Sequence, residues 1–140
     1  MGEIIISRRF SSDRTEGLLK PIIYCRKFPN VEPEAVSLNK LLAEALIEIK
    51  PKRRAIKIEK CFADILSTFP DGVIIKEFDV LFNPEYRVDV LKILVNACKT
   101  KPFSVWWPGT IQDNRLIYAE ESYSDYKEYD VGMYDITCVV

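Results

Sequence analysis

Histidine is absent from this chain. That excludes Ser-His and Cys-His nucleophile pairs and removes the commonest metal ligand. Cysteine is sparse and scattered. Cys25, Cys61, Cys98 and Cys138 form no C-x-x-C pair, which argues against both zinc held by clustered thiolates and a disulfide framework. Each lies in an apolar context, so buried, reduced thiols are expected. No apolar run approaches the roughly 20 residues that span a bilayer. Arg8 and Arg9 follow only a brief Ile4-Ile5-Ile6 run, too short for a signal sequence. A cytoplasmic protein with no membrane contact and no metal site is the expectation.

Net charge is also small, at -1, and gives no general attraction to nucleic acid or anionic lipid. Its distribution is uneven. Lys50, Lys52, Arg53, Arg54, Lys57 and Lys60 cluster mid-chain, whereas Glu120, Glu121, Asp125, Glu128, Asp130 and Asp135 stand against Lys127 alone towards the end. Two solvated faces and a docking surface are both open readings. With 140 residues, 48% of them hydrophobic, the chain fits a single domain spanning 1–140 with one real core.

What is present centres on Val73 to Ile111. Asp71-Gly72 turns the chain into a β-branched run, Val73 to Glu77. Asn83-Pro84 breaks it, and Val88, Leu91, Leu94 and Val95 recur at helical spacing. Lys101-Pro102 stops that helix before the apolar run Phe103 to Trp107. Apolar strands joined by a helix predict an α/β fold in three layers, with a mainly parallel sheet covered by helices on both faces. Ile75, Leu81, Leu91, Leu94 and Val105 are the expected core.

Elsewhere, Glu3 to Ser7 reads as a first strand and Ala35 to Leu38 as a short one. Ile22 to Phe28 is open between strand and kinked helix. Asn39 is placed to cap a helix to about Ile49, which Pro51 ends, and Lys57 to Thr68 forms another with Ile58, Phe62, Ile65 and Leu66 inward. Leu116 to Ala119 and Asp135 to Val140 read as strands. Tyr123, Tyr126 and Tyr129 recur every third residue, which fits one helical turn or an ordered loop.

Ligands of an open parallel sheet bind beyond the carboxyl ends of its strands. After Ser7 the chain fits the length of the phosphate-binding pattern G-x-x-x-x-G-K-[ST]. Arg14 takes the lysine place and Thr15 the hydroxyl place, with Ser11 and Ser12 in the loop. Arg8 and Asp13, however, replace the two glycines that let backbone N–H groups turn inward. After the second strand, Glu77 and Asp79 are the acids placed to organise magnesium and water, although Lys76 precedes them. After the third, Trp106-Trp107-Pro108-Gly109-Thr110 offers indoles for core packing or base stacking.

Taken in order, Asp79-Val-Leu-Phe-Asn-Pro84, Asp89-Val-Leu-Lys-Ile-Leu94, Trp107-x-Gly109-Thr110 and Leu116-Ile-Tyr-Ala-Glu120 resemble the BrxF-like P-loop proteins of BREX phage-exclusion systems. Upstream, Ser37-Leu-Asn39 and Leu42 to Leu46 extend the resemblance, which covers about residues 35 to 130. It implies a compact P-loop NTPase-like fold and a role in antiviral defence alongside other defence-system proteins, with nucleic acid met only indirectly. The family pattern also has an intact G-x-x-x-x-G-K-T loop and an acid after the third strand, and this sequence departs from both. Two functions follow: an adaptor that needs no cofactor, or an ATPase-like switch binding ATP and Mg through Arg14, Thr15, Glu77 and Asp79.

Overall fold

A computed structural model describes residues 2–10 and 20–140. The protein is α/β, with a six-stranded parallel sheet and a smaller three-stranded antiparallel one. The large sheet contains β1 (Glu3–Ile5), β2 (Ile22–Tyr24), β3 (Val36–Ser37), β4 (Val73–Lys76), β5 (Phe103–Trp106) and β9 (Thr137–Val139). Its spatial order is β1-β9-β2-β5-β4-β3, and every pairing is parallel. The segment left open between helix and strand is thus β2, at the centre of the sheet, where Ile23 faces Val105 on one side and Cys138 on the other.

Among the described residues, three helices join these strands: α1 (Asn39–Ile47), α2 (Arg54–Leu66) and α3 (Val90–Cys98). All five expected core residues are fully buried. On α2, Ile58, Phe62 and Leu66 point inward, and the Phe62 ring meets Phe103 edge-on at 6.0 Å. The helix starts three residues earlier than its apolar stripe suggested, because Arg54 caps the end of α1. Its Nε donates to the Leu46 and Ile49 carbonyls, both at 2.9 Å.

The described helices form one layer rather than two. α1 packs on α2 and α2 on α3. The β3-to-β4 and β4-to-β5 crossovers also step in the same direction along the sheet, so right-handedness puts both on the same face. The residues on that face, Ile23, Ile75 and Val105, have no exposed surface. On the other face Ile22, Ile74 and Trp106 are half-buried, and Tyr24 is flanked edge-on by Phe10 and Phe28.

Only part of the small sheet follows from the sequence pattern. β6 (Thr110–Gln112) and β7 (Arg115–Tyr118) form a hairpin whose turn residues Asp113 and Asn114 both have positive φ, 52° and 62°. The third strand, β8 (Lys127–Asp130), lies where the tyrosine spacing had suggested a helical turn or loop. The physical reason is pairing: Tyr129 stands opposite Leu116, and the two bury together against the aromatic core.

Candidate functional site

The carboxyl ends of β4 and β5 lie side by side, as the placing of a site there requires. They open into a hollow of about 400 Å³ lined by Lys76, Glu77, Asp79, Trp106, Trp107 and Pro108. The second and third candidate loops are therefore brought together. The strand that leads to the first is not beside them. That strand, β1, is at the sheet edge, and β9, β2 and β5 stand between it and β4. At about 4.8 Å per strand, the ends of β1 and β4 are about 19 Å apart. Ser11, Ser12, Arg14 and Thr15 themselves lie outside the described residues.

Asp79 is a clamp. Its Oδ1 accepts from Asn39 Nδ2 at 3.1 Å, and its Oδ2 accepts from the Tyr118 hydroxyl at 2.7 Å. Asn39 in turn accepts from the Val80 N–H at 3.1 Å. Asn39 therefore does not cap its own helix; it ties the start of α1 to the turn after β4. Tyr118 stacks flat on Phe82, with ring centroids 3.7 Å apart. Burial first, and then the hydrogen bond to Asp79, push the Tyr118 hydroxyl pKa far above its ordinary value.

Glu77 is the freer acid. Its backbone is left-handed, with φ 49°, and its side chain is 57% exposed. The carboxylate pairs with Lys76 at 3.5 Å, while the same ammonium sits 5.7 Å from the centre of the Trp106 ring. Lys76 and Trp106 lie one residue beyond the Ile75–Val105 pair, so both project from the same face of the sheet.

The two indoles divide their roles. Trp107 is core, 2% exposed, with its Nε1 donating to the Ile117 carbonyl at 3.0 Å. Phe78, Phe82 and Tyr129 pack edge-on around it. Gly109 has to be glycine here, since a Cβ would come within 1.9 Å of the same Ile117 carbonyl oxygen. The W-x-G-T motif thus ties the chain just after β5 to Ile117 on β7. Trp106 is half-buried and lines the hollow.

Sequence reasoning missed Asn39 and Tyr118 as parts of this site, because their partner Asp79 is about forty residues away in each case. Of the basic cluster, Arg54 is structural and Lys60 pairs with Asp64 at 2.9 Å, whereas Lys50, Lys52 and Arg53 are exposed. Cys25, Cys98 and Cys138 are buried and Cys61 is half-buried, all as free thiols. A hydrogen bond with Cys25, reinforced by burial, raises the Cys138 thiol far out of its reactive range. No described helix is long and apolar enough to cross a membrane.

Compared with models of known families, with curated proteins and with solved structures, the chain matches none of them.

Proposed function

We propose that this protein is an adaptor in a prokaryotic anti-phage defence system of the BREX type, built on a P-loop-like α/β domain that works without bound nucleotide. The resemblance of residues 35 to 130 to BrxF-like proteins supports the setting. The observation that carries the mechanism is the strand order. A nucleotide hydrolase needs its phosphate loop and its metal-organising acid at one triphosphate, yet the strands leading to Arg14 and to Glu77 are separated by three others. The acids themselves are engaged, Asp79 by Asn39 and Tyr118, and Glu77 by Lys76.

A nucleotide switch is the competing reading, favoured by the placement of Glu77 and Asp79 after an interior strand, in the hollow that Trp106 lines. Phage plating separates the two. In a host carrying the locus that encodes this chain, its deletion should raise plating efficiency. Wild type and the double variant Arg14→Ala, Thr15→Ala should restore resistance equally. Failure of the double variant alone favours the switch, and a deletion without effect removes the defence role.

A further inference from the structure

We propose that the hollow at the carboxyl ends of β4 and β5 binds a cationic side chain, arginine in preference to lysine, presented by an extended basic segment of a partner protein. This deepens the adaptor reading by naming the chemistry its docking site selects.

Three observations converge on it. The first is the wall. Trp106 turns an indole towards a hollow of about 400 Å³, at the small end of ligand sites. An indole face attracts cations through its quadrupole, and this one already holds the Lys76 ammonium 5.7 Å from its centre. Lys76 thus marks the position a ligand cation would occupy.

The second is charge. Glu77 and Asp79 both line the hollow, and Lys76 is the one cation beside them among its lining residues. Asp79 has its oxygens bonded to an amide and a phenol, which orient the carboxylate but leave its charge uncancelled. Two carboxylates against one ammonium leave the hollow at about -1. A guanidinium that takes the ammonium's place still faces two carboxylates, whereas a phosphate would add to their charge.

The third is exchangeability. The Lys76–Glu77 pair is partly solvent-exposed, with 29% and 57% of the side chains accessible, so it is easily broken. A lysine on a flexible stem can swing clear into water. The planar guanidinium that replaces it can stack on Trp106 and engage Glu77 through two parallel N–H groups, which an ammonium cannot do.

The test is a titration of the isotope-labelled full chain, followed by the Trp106 indole N–H and the Glu77 amide in nuclear magnetic resonance spectra. The probe is a blocked Gly-Ser-Arg-Ser-Gly peptide, and the control is the same peptide with neutral citrulline for arginine. The arginine peptide should give saturable shifts with a dissociation constant of about 1 mM or tighter, and citrulline at least about fivefold weaker binding. Glu77→Gln should weaken arginine binding about fivefold. Lys76→Gln should strengthen it about threefold or more by removing the internal competitor. Both positions are on the surface, and unchanged melting temperatures establish that the variants fold. Equal binding of citrulline, absence of saturable shifts, or weaker binding by Lys76→Gln would overturn the proposal. Shifts produced by ATP and lost in Lys76→Gln would overturn it in favour of an anion site. The phage assay still judges the adaptor reading if the peptide fails to bind.

Discussion

Tyr129 carries a buried polar atom into the aromatic packing around Trp107. Its side chain is 6% exposed, and its hydroxyl has no hydrogen-bond partner among the described residues. Burial pushes its pKa up to about 12, opposed by the Val90 backbone nearby, which lies outside good hydrogen-bond geometry. A buried donor left unmade costs about 1–3 kcal/mol. Tyr129→Phe should therefore leave stability at neutral pH unchanged or raise it by up to about 1 kcal/mol, as read by urea denaturation. The pH dependence has a definite sign. The folded hydroxyl stays neutral to about 12, whereas an unfolded tyrosine ionises near 10. The contribution of Tyr129 is complete below pH 10 and is lost as pH rises to about 12, at no more than about 1.4 kcal/mol per unit. The phenylalanine variant should show a shallower alkaline decline, and an unchanged decline would mean the hydroxyl is solvated.

At the scale of elements, α3 was readable in advance because one signal dominates it. Asp89 caps it by accepting from the Lys92 N–H at 3.2 Å, and Leu91 and Leu94 return to the core at helical spacing. Leu94→Ala should cost about 2–5 kcal/mol in equilibrium denaturation. A loss below half a kcal/mol would contradict the packing of this helix under the sheet.

β8 was not readable in the same way. Its residues Lys127, Glu128, Tyr129 and Asp130 have a single apolar member, and the threefold tyrosine spacing competes with the strand period. Only the partner strand β7 decides it. Asn39 illustrates the same limit for side chains. An asparagine before an apolar helix reads as a cap, and the bond to Asp79 that overrides this is a long-range one. Strand order lies further still from local pattern, since nothing near Ile22 announces that β2 occupies the centre of the sheet and β1 its edge.

For the whole molecule, that strand order is the observation on which the proposed adaptor role rests. One sheet presents the end of β4 with Glu77, Asp79 and Lys76, and presents the start of the glycine-free loop about 19 Å away. In the sequence pattern Asp13 stands at the place of the second phosphate-loop glycine. At an effective dielectric near 20, a like charge about 4 Å away costs on the order of 4 kcal/mol. That is roughly three decades in affinity. Calorimetric titration of the chain with ATP and magnesium tests this most directly. No dissociation constant below about 50 micromolar, equivalent to about 6 kcal/mol, is expected. A tighter constant would contradict the proposed adaptor role and make the protein a nucleotide-bound switch.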